Sequence, residues 1–212
     1  MYVTLATPEN RHHFGEQMDD VFRLRHSVFN EWLKWDLPHK NGLESDKYDD
    51  EALHMLAMDA DGALIGTWRL MPTTKPYMTA EVFPALLADT GIVSRPGTWD
   101  LSRFAVDRSR IGKNKGLQNR LLASLASAVY EFGIMNGIDE FLSVQNAYIT
   151  PIANQMLGQP TWESEGLDMG ATDAACYSYS PSMERLFSLR TQYRLQSPVL
   201  SQFQITEFKK AA

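Results

Sequence analysis

The sequence predicts a three-layer α/β/α sandwich built on a mixed β-sheet, and three stretches carry the prediction. Leu53–Asp59 and Ala63–Met71 read as two strands joined at Asp61-Gly62, a strong hairpin signal. Trp99–Val106 reads as a further strand, followed by a Gly- and base-rich turn, the helix Leu117–Gly137 and the strand Ile138–Gln145. A strand–helix–strand order requires a parallel pair, here inside an otherwise antiparallel sheet. The third stretch is "WDLSRF", Trp99–Phe104. A period of two puts Asp100, Ser102, Phe104 and Val106 on one face and Trp99, Leu101, Arg103 and Ala105 on the other. Each face is then apolar with one charge, so helices cover both, and a covered charge is costly unless paired.

The remaining elements follow in order. Met1–Ala6 is a first strand. From about His13 to Leu33, Met18, Val21, Phe22, Arg25, Val28, Phe29 and Trp32 recur at helical spacing. Trp35–Asp50 breaks that spacing with Pro38, Gly42 and a cluster of acids, and reads as a long loop of the kind that is usually functional. A short helix falls near Ala80–Ala88 and another at Pro151–Leu157. Ala174–Ser180 is a late strand, Ser182–Arg194 a late helix, and residues near 198–212 a flexible tail. The whole chain, 1–212, reads as one domain.

Composition narrows the function. A 44% hydrophobic fraction with five Trp is enough for a real core, and a net charge of −6 argues against a nucleic-acid binder. The lone Cys176 excludes an internal disulfide and fits a reducing compartment. No apolar run approaches the roughly 20 residues of a membrane helix, and the N-terminus has no signal-peptide pattern. A cytoplasmic protein is expected. His12, His13, His26, His39 and His54 show no ligand spacing, so no metal site is expected, and no Ser-His-Asp or Cys-His set stands out.

One ordered set of residues is more specific. Arg25, Phe29 and Trp35 stand in "RHSVFNEWLKWDLP", Asp46 and Asp49 in "ESDKYDD", Arg69 in "GTWRLMP", and an acid-x-Ser-Arg-Phe block in "DLSRF". This set resembles the acyl-homoserine lactone synthases, or autoinducer synthases, over roughly residues 20–105. The resemblance implies a bacterial enzyme with a fold similar to the N-acetyltransferases. It implies transfer of an acyl group from an acyl thioester to the α-amine of S-adenosylmethionine. The methionyl carboxylate then displaces methylthioadenosine and closes a lactone, the quorum-sensing signal. Both small molecules are substrates, and no prosthetic group is implied. The family usually has Glu where this chain has Asp100.

That chemistry assigns expectations to residues. The substrate amine, with a pKa of roughly 8, is mostly protonated near neutral pH, so a general base must take its proton. Asp100 is the candidate, directly or through one water, with Ser102 to orient the water or the substrate and Arg25 beside them. The alternative for Asp100 is a structural pair with Arg103 or Arg25. Arg25, Asp46, Asp49, Arg69 and Arg103 are expected to fix the loop after Trp35 and to bind the methionyl end. Phe29 and Trp35 are expected to cover the adenosyl or sulfonium group. Arg108, Arg110, Lys113, Lys115 and Arg120, at the Gly-rich turn before the long helix, are expected to hold the acyl donor, either acyl-CoA or acyl carrier protein. Leu101, Leu122, Leu125, Leu142, Ser143, Val144 and Met156 are the expected acyl pocket. Two other readings remain at this point: an N-acyltransferase of similar fold acting on another amine, and a non-catalytic module that docks an acyl carrier protein.

Overall fold

The computed structural model describes residues 1–170 and 172–200. In chain order the elements are β1 (Tyr2–Ala6), α1 (Gly15–His26), β2 (His39–Lys40), β3 (Leu43–Glu44), β4 (Leu53–Met58), β5 (Leu64–Pro72) and α2 (Met78–Val82). They continue with β6 (Thr98–Val106), α3 (Arg108–Ile111), α4 (Lys115–Met135), β7 (Glu140–Asn146), α5 (Thr150–Leu157), β8 (Trp162–Glu163), β9 (Leu167–Asp168), β10 (Asp173–Tyr179) and α6 (Met183–Tyr193).

The main sheet runs β1-β4-β5-β6-β7-β10-β8, with β9 also on β10. All its strand pairs are antiparallel except β6–β7, which α4 connects as a parallel crossover. One face carries α4 and a large core that includes Leu53, Met55, Trp68, Leu70, Leu101, Leu121, Leu125, Val129 and Phe141. The other face carries α1, over Leu56, Met58 and Leu64, and α2, over Met71, Leu142 and Cys176. The expected three layers are present, and two of their covers meet over β5 and β6, where the charged residues lie.

α4 is positioned by its ends and by one small residue. Asn114 caps it by accepting from the Leu117 amide at 3.0 Å, and Gly137, at φ +64°, ends it. Gly133 lets it approach β7, since a Cβ there would lie 2.9 Å from the Phe141 ring. Buried Glu131, near its C-terminal end, accepts from the Val199 and Leu200 amides and from Arg190. Val199 and Leu200 are therefore docked side chains rather than the start of a tail; the rest of the expected tail, 201–212, lies outside the described residues.

Four local expectations are corrected. The loop Trp35–Asp50 contains the β2–β3 hairpin. The helix expected near Ala80–Ala88 is α2, at Met78–Val82, followed by a 3₁₀ turn at Pro84–Leu87. The period of two in β6 fails at Arg103, which adopts φ +54° where the β5–β6 register shifts between Thr67 and Arg69. This is a β-bulge, and it switches the faces beyond it. Phe104 and Val106 pack into the α4-side core with Trp99 and Leu101, while Ala105 pairs with Thr67 on the opposite face. Finally, Leu142 and Val144 face α2 rather than α4. The seven residues expected to line one acyl pocket thus divide, with Leu101, Leu122, Leu125 and Met156 in the α4-side core and Ser143 level with Leu101.

Candidate active site

The β6–β7 ladder pairs Thr98–Leu101 with Glu140–Ser143 and stops there, although β6 runs on to Val106 and β7 to Asn146. The two parallel strands part at their carboxyl ends, and in open α/β sheets a crevice at that place is where ligands bind. The polar residues singled out in the sequence gather on the α1–α2 side of this divergence.

Three arginines and three carboxylates form one buried cluster there. Arg25, on α1, is 0% exposed; its Nε donates to Glu44 Oε2 at 2.6 Å, and its Nη1 and Nη2 donate to the two Asp49 oxygens at 2.7 and 3.1 Å. Arg69, on β5, donates to Asp46 Oδ1, to Asp49 Oδ1 at 3.0 Å and, through Nε, to Ser102 Oγ at 3.0 Å. Arg103, turned onto this face by the bulge, donates to Glu44 Oε1 at 3.1 Å and lies 2.9 Å from Asp46 Oδ2. That last pair is off the hydrogen-bond axis, so Asp46 Oδ2 keeps acceptor capacity. The bulge conformation costs a non-glycine residue roughly 1–2 kcal/mol, and the two carboxylates hold it.

The electrostatics follow from this geometry. Burial pulls the Arg25 guanidinium down, but Asp49 and Glu44 outweigh it and raise it above its ordinary value. Burial pushes the Asp49 carboxyl up, and Arg25 and Arg69 more than reverse this, leaving it far below the usual carboxylate range. Burial lowers Arg103, and the opposing pull of Glu44 and Asp46 does not fully restore it.

Glu44, fully buried and shared by Arg25 and Arg103, is the cluster member the sequence reading passed over. The signal was present: Glu44 and Asp46 are two apart in an extended stretch and so point the same way. Its presence changes the charge count. The three arginines are matched by Glu44, Asp46 and Asp49, and Asp100 has no ion pair among the described residues. Asp100 is 0% exposed; its Oδ1 accepts from the Thr79 hydroxyl, and its Oδ2 has no geometric hydrogen-bond partner among the described residues. Burial raises its pKa, opposed by the Thr79 hydroxyl, Arg69 and the Ser102 hydroxyl. The alternative pairings of Asp100 with Arg25 or Arg103 are not formed.

His54, on β4, has no ligand spacing in the sequence and no role expected from it there. It is 1% exposed beneath the cluster, with Nε2 3.4 Å from the Asp49 carbonyl oxygen. Burial lowers its pKa to about 4, with the Arg25 and Arg69 charges adding to the effect and Asp49 opposing it. The folded value lies below the unfolded one of roughly 6.5, so this residue's contribution is complete above that value and lost as pH falls toward 4. Between pH 7 and pH 5 it should cost about 2 kcal/mol of stability. Denaturant unfolding at the two pH values checks this; an unchanged pH slope in His54→Gln would contradict it.

The aromatic residues sit where α1 ends. Its last turns widen to a π-helix at Ser27–Trp32, an irregularity frequent at functional sites. Phe29 points inward, 4% exposed, and stacks with half-exposed Trp35 at 5.4 Å and 4°. Arg103 lies over Phe29 at 5.8 Å. Across the mouth, Arg108 rests on Trp32 at 4.0 Å. Arg110 pairs at its rim with Asp59 at 3.5 Å, while Lys113, Lys115 and Arg120 are exposed around the start of α4. Among the described residues no cluster could hold a metal, and no helix is long and apolar enough to cross a membrane.

A mixed sheet whose central parallel strands part is an architecture shared beyond close relatives. A putative N-acetyltransferase from Lactobacillus plantarum shares the fold, with a TM-score of 0.53 at 14% identity over 86% of this chain and 100% of that one. The family is narrower than the fold. The autoinducer synthase model matches residues 10–175, and the chain belongs to that family. It is 36% identical over 171 residues to the isovaleryl-homoserine lactone synthase of Bradyrhizobium diazoefficiens, covering 77% of this chain and 75% of that one. It is 36% identical over 136 residues to the acyl-homoserine-lactone synthase of Aliivibrio fischeri, covering 64% and 70%. The CoA-dependent acyl-homoserine lactone synthase BjaI, solved with SAM and isopentyl-CoA, matches with a TM-score of 0.82 at 29% identity, covering 94% of this chain and 92% of that one. The chain is an acyl-homoserine lactone synthase, an acyltransferase.

Proposed function

We propose that the enzyme takes its acyl group from a short acyl-CoA and uses Asp100 as the base that frees the S-adenosylmethionine amine. The observation that carries the reading is the isolation of Asp100: the only carboxylate of the site outside the arginine cluster, with one oxygen free. A carboxylate held by arginines is a poor base, and one with a raised pKa is a better one. Asp100 takes one proton from the ammonium, the freed amine nitrogen attacks the thioester carbonyl, and as the C–S bond breaks the remaining excess N–H proton goes to the departing sulfur, which leaves as the CoA thiol. A carboxylate oxygen of the same methionyl group then attacks the carbon bearing the sulfonium, and methylthioadenosine leaves as the lactone closes. Both groups of this second step lie in one molecule, so positioning supplies most of the effect.

The other roles follow from placement. Asp46 Oδ2 is the acceptor left in the cluster for the ammonium, and the Phe29–Trp35 stack covers the sulfonium side. Ser102, held by Arg69, orients the amine or a water. Arg25, Glu44, Asp49, Arg69 and Arg103 fix the loop that carries Asp46. Lys113, Lys115 and Arg120, with Arg108 and Arg110 beside them, face the donor's phosphates at the start of α4. The choice of CoA over acyl carrier protein is supported by the similarity to BjaI, a CoA-dependent synthase solved with isopentyl-CoA. A short chain is supported by the isovaleryl-homoserine lactone synthase relative. The single domain acts in the cytoplasm.

Purified enzyme with S-adenosylmethionine and a panel of acyl-CoA and acyl carrier protein thioesters tests this. Methylthioadenosine and a short-chain acyl lactone should form from the CoA donors. In Lys113→Glu/Lys115→Glu, KM for acyl-CoA should rise about ten-fold at low salt, with the gap shrinking as salt screens the charges. Faster turnover with acyl carrier protein thioesters, or an unmoved KM, would overturn the donor assignment. Acylated amine without methylthioadenosine would indicate another acceptor.

A further inference from the structure

We propose that Thr79 is the positioning residue of this site: its hydroxyl fixes one oxygen of Asp100 so that the other faces the reacting amine. This rests on the reading of Asp100 as the base. Thr79 is 0% exposed in α2, and its Oγ1 donates to Asp100 Oδ1, the strongest of the hydrogen-bonding contacts on that carboxylate ahead of the Ser102 hydroxyl, while Oδ2 has no geometric hydrogen-bond partner among the described residues. An aspartate side chain bears two equivalent oxygens, and a donor on one of them decides which is left for chemistry.

α2 is itself braced from several sides, which makes it a rigid support. Tyr48 on the acidic loop donates to Glu81 Oε2 at 2.8 Å, and Lys47 pairs with the same oxygen at 2.6 Å. Tyr77, just ahead of α2, donates to the Val93 carbonyl at 2.9 Å. Arg103 Nη1 lies 3.0 Å from Met78 Sδ. Lys47 and Tyr48 thus tie α2 directly to the loop that carries Asp46 and Asp49, and Arg103, itself beside Asp46, lies against Met78. A merely structural threonine in a helix would need no carboxylate partner.

The groups facing Asp100 are Thr79 and Tyr77 from the α2 side, Arg69 from β5, Ser102 from its own strand and Cys176 from β10. Burial raises Asp100, and the Thr79 hydroxyl is the largest of the opposing effects. Without that donor the carboxylate binds its proton more tightly, so the base is protonated up to a higher pH. The acid limb of the rate profile then moves toward alkaline pH.

The test uses Thr79→Val, which keeps the shape without the hydroxyl, Thr79→Ser, which restores it, and Asp100→Asn in parallel. kcat and KM for S-adenosylmethionine are measured from pH 5 to 9. Losing a hydrogen bond to a charged group should lower kcat in Thr79→Val by about ten-fold and move the acid limb up by about one pH unit. KM should change less than about two-fold, since the substrate's own contacts are left in place. Thr79→Ser should recover both kcat and the limb. The limb is independent of the fraction of enzyme that folds, so a loss of yield does not obscure it. A wild-type limb in Thr79→Val, with Asp100→Asn inactive, overturns the role of Thr79 alone. Full activity in Asp100→Asn overturns the base assignment and this inference with it.

Discussion

Asp100→Asn should lower kcat by about 10²–10⁴-fold, the span typical of losing a general base, while leaving the folded protein as stable as before or slightly more so. The two halves of this expectation have one cause. Asp100 is fully buried and, among the described residues, has no ion-pair partner and no hydrogen bond to Oδ2. A buried carboxylate in that state is a burden on the fold, so exchanging it for a neutral amide of the same shape removes a cost. The Thr79 hydroxyl still finds an oxygen to donate to. What disappears is the ability to take a proton. Methylthioadenosine release at saturating substrates measures the first half, and the denaturant midpoint at pH 7 the second. Loss of turnover together with several kcal/mol of stability would mark Asp100 as structural. Turnover like that of the wild type would remove it from the mechanism.

The sandwich was legible because apolar periodicity reports which face of an element is buried, and that is what sets the layers. The same signal fails where the backbone departs from regularity. Arg103 is the example: a left-handed residue in a strand is usually announced by glycine, and here an arginine adopts it, held by Glu44 and Asp46. One extra residue then moved Phe104 and Val106 to the other face and brought Arg103 beside Arg69. Leu142 and Val144 were misplaced for a related reason: a strand buried on both faces gives no alternation to read. The site residues were legible by type, through the ordered set from Arg25 to Arg103, but their pairing was not. With Glu44 uncounted, three arginines face only Asp46 and Asp49, and Asp100 is drawn in to balance the third. The structure supplies Glu44 instead, and with it the reason why Asp100 is left unpaired. Thr79 and His54 carried no signal in the sequence, since a threonine in a short helix and a histidine in a strand are ordinary until their neighbours are known.

The second large effect is expected at Arg25. Arg25→Ala takes three bonds from two buried carboxylates, leaving Glu44 to Arg103 alone and Asp49 to Arg69 alone, and should destabilise the protein by about 3 kcal/mol, the lower end of what breaking one side of a buried pair costs. Arg25→Lys should rescue little, because a single ammonium cannot reproduce three donated bonds in a planar fork. Stability alone does not show what the cluster is for, since well-packed apolar side chains often replace a buried ion pair without loss. The double variant Arg25→Met/Glu44→Met separates the two roles. It removes a cation and an anion together, leaves Arg69 on Asp49, and leaves Arg103 beside Asp46. It should therefore regain most of the lost stability. Yet Arg103 would lose its Glu44 bond and the loop its tie to α1, so the carboxylate of Asp46 would no longer be held in place. KM for S-adenosylmethionine should stay raised by at least about ten-fold in the double variant, with KM for the acyl donor nearly unchanged. Thermal or denaturant melts and the two KM values together decide the matter. A double variant that regains both stability and substrate affinity would reduce the cluster to a scaffold. Recovery of stability alone would show that these three arginines and three carboxylates are kept for the position of the loop they hold.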